Sequence, residues 1–410
     1  MSKTTSSAKP VIPNANTNER PARQINIVQA AMFTPMLGGD WGLPLILWGE
    51  PGTTKTANIK ALFRRFGLHC EHLAPGERGD GAFGVTPVPT STPHGTVLSY
   101  PMPDWALLLR NAESGEEAGG VFFDEINTAP PALQPALLGG IQERRIGGHR
   151  FGGRVRPIGA ANPTGQSAGG WDISPPVANR CGHIDWKRPE VEDFTGWLLS
   201  GASSGEEEKV QDAKKEEARV MKAWPEAFAK ASGLVSAFLR ARSDLLHKMP
   251  PENDPKASRA WPSSRTWEYA TRALASSMVH GLVTMERDEF IAAFVGAGPG
   301  GELATFMEEN DLPEPAKLLD GEIQFQHDPE RLDRTVVVLN ACAALVTPKE
   351  AAKRNDRGEA LWKMIGAISE DAKDVVVPSM TSLVTAQLKT ASAKPIMARL
   401  HSVVTTAGAL

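Results

Sequence analysis

Lys55 and Thr56 close the run Gly49-Glu-Pro51-Gly52-Thr53-Thr54-Lys55-Thr56, and Asp124-Glu125 close the apolar run Val121-Phe-Phe further along the chain. A lysine and a hydroxyl at the end of a glycine-rich turn suit phosphate. The ammonium reaches the outer oxygens and the hydroxyl serves a magnesium ion. The full pattern is G-x-x-x-x-G-K-[ST], and Thr54 stands where its second glycine belongs. If that position needs a left-handed backbone, a β-branched residue there costs roughly 1–3 kcal/mol. The two adjacent carboxylates divide by role: Asp124 suits the metal of a nucleotide and Glu125 suits a water to be polarised. Alone, such a pair is equally an exposed strand end; after the loop it gains meaning.

Three more residues could serve the same chemistry. Asn162, in Ala160-Ala-Asn162-Pro163, can hydrogen-bond an attacking water or a terminal phosphate, or simply make an Asx turn before proline. Arg180 in "WDISPPVANRCGHIDW" can carry a guanidinium from a neighbouring subunit to a phosphoryl group in transfer, and Arg265 in "WPSSRTWEYATRAL", near a helix start, can sense nucleotide or simply cap the helix. For a single arginine, a surface ion pair is the plainer role.

The elements around these residues must place them at one edge of a sheet. Leu45–Trp48 reads as a buried strand, and Thr56–Phe66 as a helix with Ile59, Leu62, Phe63 and Phe66 on one face and Gly67 as its stop. A lead-in helix is expected over Ile25–Met36, a second strand near His69–Leu73, and loop with hairpin from Pro75 to Pro103. A helix restarts at Trp105–Arg110, "ALQPALLGGIQERRI" is helical in pattern, and the paired glycines after it predict a hairpin leading to a strand at Ile158–Ala161. Strands alternating with helices imply a parallel sheet covered on both faces, with ligands at its carboxyl edge. After Trp186 the pattern becomes helical, although the β-branched start of "TVVVLNACAALV" competes with that reading. The expected divisions are a flexible tail over 1–22, an α/β core over 23–186, a helical lid over 187–290 and a mainly helical region over 291–410.

Composition excludes several classes. The chain has 410 residues, 41% hydrophobic and 22% charged, with a net charge of −4, so bulk charge does not favour nucleic acid. No long uncharged apolar run or signal peptide is present, so a cytoplasmic protein with no membrane span is expected. Cys70, Cys181 and Cys342 are too scattered for a disulfide framework or zinc set.

Taken in order, the loop, the Asp-Glu pair, the hairpin, Asn-Pro and the arginine resemble the AAA+ ATPases, specifically the MoxR-like branch. The hairpin Arg145–Arg156 resembles that branch's insertion before sensor 1. Ala82-Phe-Gly-Val-Thr-Pro-Val-Pro89, followed by "YPMPDWALLL" from Tyr100, resembles the family's segment between the first two helices, and "GWDISPPVANRCGHIDW" from Gly170 is similar to members that accompany a von Willebrand factor A-like partner. "PSSRTWE" from Pro262 resembles the sensor-2 helix, and the likeness spans about residues 25–290.

The resemblance implies an AAA+ P-loop core with a helical lid, ATP and Mg2+ as cofactors, and assembly into rings, hexamers above all, with sites between subunits. It assigns Gly49, Pro51, Gly52, Thr53, Thr54, Lys55, Thr56 and Asp124 to the nucleotide, with Thr56 and Asp124 on the metal. Glu125 becomes the water-positioning base, Asn162 sensor 1, Arg180 the finger acting on the next subunit, and Arg265 sensor 2. Arg144 and Arg145 compete with Arg180 for the finger role. A separate von Willebrand factor A-domain-like protein is the implied partner, since this chain has no Asp-x-Ser-x-Ser motif.

Three functions remain open at this point. They are a ring ATPase that remodels a partner protein, a nucleotide-gated scaffold with little turnover, and a DNA-acting enzyme using the basic hairpin Arg144, Arg145, His149, Arg150, Arg154 and Arg156.

Overall fold

The structure, a computed structural model, describes residues 20–75, 83, 87–110, 116–130, 133–163, 171–200, 210–251, 254–309, 313–349 and 351–406. Residues 1–19 of the expected N-terminal tail, residues 82 and 84–86 of the segment that ends at Pro89 and the start of the charged run after Ser200 lie outside the described residues, while residues 20–22 of that tail are helical.

Four consecutive buried apolar residues form β1 (Leu45–Trp48), which pairs in parallel on both edges, with β8 (Arg154–Ala161) and β9 (Gly182–Asp185). β5 (Ala118–Phe123) lies between β8 and β2 (Cys70–Leu73), so the five-stranded parallel sheet runs β2-β5-β8-β1-β9. Side chains alternate across it as pleating requires. Leu45, Leu47, Phe122, Ile158 and Ala160 enter one core, while Ile46, Trp48, Val121, Phe123 and Val155 enter the other. The first core is covered by α1 (Arg20–Met32) and α2 (Lys55–Arg65) and continues through Leu234, Trp267, Phe294, Val337 and Trp362 of the later helices. The fold is therefore α/β, a five-stranded parallel sheet between helices, followed by a large helical C-terminal region.

Several local expectations are corrected. The lead-in helix stops at Met32 rather than Met36, because Pro35 disfavours helical geometry at Thr34. Asp104–Leu109 is 3-10 helix. Gln134–Leu138 is a five-residue helix that widens into a π-helical turn over Gly139–Glu143, where two glycines weaken the α-ladder. The edge strand β9, with its Gly and His, has no apolar run to announce it.

Two hairpins stand outside the sheet: β3 (Val88–Thr92) with β4 (Gly95–Ser99), and β6 (Arg145–Ile146) with β7 (His149–Arg150). Beyond β9 the described elements are helical, including Leu332–Val346, whose valines are overruled by burial. Among the described residues, no helix is long and apolar enough to cross a membrane.

Candidate nucleotide site

The loop between β1 and α2 leaves the carboxyl end of a central strand and ends at a helix amino terminus, where free N–H groups and the helix dipole favour an anion. Its first glycine is required by space. A Cβ on Gly49 would stand 2.8 Å from the Trp186 carbonyl oxygen. Gly52 sits at φ +78°, the left-handed region.

Thr54 also adopts that region, at φ 64° and ψ 15°, so the substitution does carry backbone strain of roughly 1–3 kcal/mol. Local bonds hold it there. The Thr54 hydroxyl donates to the Thr53 carbonyl at 2.6 Å, and Asn58 Nδ2 donates to the Thr54 carbonyl and hydroxyl at 3.0 and 2.9 Å. From the far side, the buried Trp186 indole N–H donates to the Thr53 carbonyl at 3.0 Å.

Lys55 lies folded into the loop, donating to the Gly49 and Glu50 carbonyls at 2.7 and 3.0 Å and to Asn162 Oδ1 at 3.3 Å. Burial lowers its pKa, and the charges of Asp124 and Glu125 oppose that shift. An ammonium has three protons, so all three are engaged, and binding phosphate means exchanging one of these acceptors.

The carboxylates arrive as the strand reading requires. Thr56 Oγ1 donates to Asp124 Oδ2 at 2.6 Å, and the Glu125 N–H donates to Asp124 Oδ1 at 3.0 Å. Burial works to raise the pKa of Asp124. The hydrogen bonds from His72 and Thr56, with the backbone N–H of Glu125, outweigh it and hold the group below its ordinary value. Glu125 is left-handed at φ 50° and accepts from Asn162 Nδ2 at 3.3 Å. Asn162 thus bridges Lys55 and Glu125. It is fixed by a reciprocal pair with Asn127, whose Nδ2 donates to the Asn162 carbonyl at 2.9 Å and whose Oδ1 accepts the Asn162 N–H at 3.2 Å.

A hydroxyl and a carboxylate in contact form a donor set that suits a hard divalent cation. Among the described residues, no group of three or more His, Cys, Asp or Glu converges to cage a metal. A cation here would take its remaining ligands from phosphate and water.

The arginines are placed elsewhere. Arg180 follows Pro175–Ala178, and its Nη1 donates to the Pro176 carbonyl at 2.9 Å. Arg265 is the exposed second residue of helix Ser264–His280 and lines a cavity of about 330 Å³ with Gly42, Pro44, Gln142 and Arg144. Gly42 and Pro44 precede β1, whereas the loop follows it, so Arg265 lies at the opposite end of the sheet. The structure brings neither arginine to the loop of its own chain.

Arg144 is not a surface group at all. It is 4% exposed, and it donates to the carbonyls of Val155, Trp41 and Gly42. Burial pushes its pKa down to about 10. Arg145 is exposed.

Sequence reasoning missed His72, Asn127 and Trp186. His72 and Asp124 meet only through the β2–β5 register, Asn127 carries no motif, and Trp186 was simply the end of a family-like segment.

Comparison with solved structures finds the crystal structure of a protein provisionally assigned as an ATPase from Cytophaga hutchinsonii. It is 16% identical, with a TM-score of 0.44, matched over 68% of this chain and 82% of that one. A likeness of that degree carries no argument about activity. No protein-family model and no curated protein matches the chain.

Proposed function

We propose that this chain is an ATP hydrolase of the MoxR-like AAA+ type, working as a ring that remodels or activates a separate protein. The observation that carries the reading is the continuous bridge Lys55–Asn162–Glu125 beside the Thr56–Asp124 pair, all at one helix amino terminus. In this reading the loop N–H groups and Lys55 hold the phosphates, and Thr56 and Asp124 hold the ion. The ion, when bound, neutralises charge on the outer phosphate oxygens. Glu125 orients and polarises the attacking water, and Asn162 fixes the Glu125 carboxylate while donating toward the terminal phosphate. Arg180 and Arg265, both remote from their own loop, would act on the site of a neighbouring subunit. A von Willebrand factor A-domain-like protein remains the proposed partner.

The DNA-acting alternative depends on charge that is partly paired within the chain. Arg144 and Arg150 pair with Asp40, His149 with Glu117, Arg154 with Glu116 and Glu217, and Arg156 with Glu217. Asp40 and Glu217 each serve two of these arginines and Arg145 is exposed, so the hairpin presents less free charge than its composition suggests.

Purified chain should release phosphate from ATP, and Glu125→Gln should slow release about 100-fold or more while ATP affinity stays within about threefold. Wild-type turnover by that variant sinks the mechanism. Tight ATP binding with no turnover by the wild type replaces it with the scaffold reading.

Trp186→Phe keeps the ring and loses the N–H to Thr53. We expect ADP affinity, measured calorimetrically, to fall about fivefold, which corresponds to about 1 kcal/mol for one neutral hydrogen bond. Unchanged affinity would show that the strained loop needs no such strut.

A further inference from the structure

We propose that His72 contributes an imidazole nitrogen to the divalent-cation site of Thr56 and Asp124, so that the site prefers Mn2+ or Co2+ to Mg2+. The proposal rests on the nucleotide-hydrolysing reading and adds a metal preference to it. His72 belongs to β2 and is directly across from Phe122 of β5, so the two side chains share one face of the sheet, and the carboxylate of Asp124, in the turn that follows β5, reaches His72 there. Its ring stacks on Phe122, with centroids 5.9 Å apart and planes 24° apart, which fixes where the nitrogen can go. His72 Nε2 lies 3.0 Å from Asp124 Oδ2, the same oxygen that accepts the Thr56 hydroxyl. The carboxylate oxygen, the hydroxyl and the imidazole therefore meet at one point at the loop mouth. Nε2 donates its proton to Asp124 there, and ligating a cation replaces that bond, with the proton carried on Nδ1 and the Nε2 lone pair turned to the metal.

Hard oxygen donors alone suit Mg2+, which dehydrates reluctantly and rarely takes nitrogen. An imidazole shifts a site away from Mg2+ and toward the first-row transition metals. The neighbouring His69 is occupied with Glu71, at 3.2 Å. Its position in β2's lead-in has the parity of Glu71, opposite to that of His72, so His72 is the histidine that can serve this site.

The test uses the full chain with Mn2+ and ADP. Electron spin echo spectra of the bound Mn2+ should show modulation from a nitrogen-14 nucleus, and His72→Gln should abolish it. The ratio of Mn2+- to Mg2+-supported ADP affinity should fall about tenfold in the same variant. If Mn2+–ADP does not bind, or binds Lys55→Ala equally well, the nucleotide reading itself falls. If it binds in a Lys55-dependent way without nitrogen modulation, His72 only orients Asp124 and this inference is overturned. Modulation that persists in His72→Gln overturns it as well. The wild-type spectrum decides the matter even if the variant does not fold.

Discussion

Replacing Glu217 by Ala should lower the unfolding free energy by about 3–5 kcal/mol, the cost of stranding a buried charge. Glu217, in helix Ala213–Ala241, accepts from Arg154 Nε at 3.1 and 2.9 Å and pairs with Arg156 Nη2. Arg156 is 1% exposed, donates through Nε to the Met32 carbonyl at 2.9 Å, and lies over the Phe33 ring. Burial pulls its pKa below the ordinary arginine value, with Glu217 pulling it back up. Without Glu217 the guanidinium keeps its carbonyl acceptors and loses its counter-charge. Urea unfolding measures the effect, and a loss under about 1 kcal/mol would refute it. Glu217→Leu combined with Arg156→Met should recover most of the loss, since a buried pair replaced together by apolar groups is often near neutral.

Acid should weaken the fold through His183 at a higher pH than through the depressed carboxylates Asp124 and Glu216. The ring is enclosed between Trp48, whose indole N–H donates to Nδ1 at 2.9 Å, and the Ala178 carbonyl, which accepts from Nε2 at 2.9 Å. Those two bonds assign the neutral Nε2–H tautomer. Burial holds its pKa down at about 4. An unfolded histidine titrates near 6.5, so between these values the unfolded chain binds the extra proton and stability falls as pH falls. The loss should reach about 2 kcal/mol by pH 5 and about 3 kcal/mol by pH 4. The depressed carboxylates Asp124 and Glu216 act only below their unfolded values near 4. Thermal unfolding of wild type and His183→Asn at pH 7 and pH 5 isolates the imidazole. Equal pH slopes for the two proteins would remove His183 from the account.

The loop, the Asp-Glu pair and Asn162 were legible in the sequence because each is a local run whose chemistry and position coincide. Thr54 was legible as a question, and the left-handed φ of 64° answers it. What escaped was set by pairing in space. His72 reaches Asp124 only when β2 aligns with β5, and Trp186 reaches Thr53 only when β9 joins β1. Arg144 read as a candidate interface arginine in a basic hairpin, yet three carbonyls and Asp40 draw it inside. Residues 332–346 were ambiguous because valine propensity and tertiary burial disagree there, and burial wins.

The apolar core that begins at Phe33, Leu47 and Ile158 runs without a break to Trp362 and Leu400. Melting is therefore expected as one cooperative event in which the sheet and the later helices are lost together. A fragment cut after Trp186 would bare the Ile27, Phe33 and Leu45 face of its sheet to water. It should aggregate rather than persist as a smaller nucleotide-binding unit.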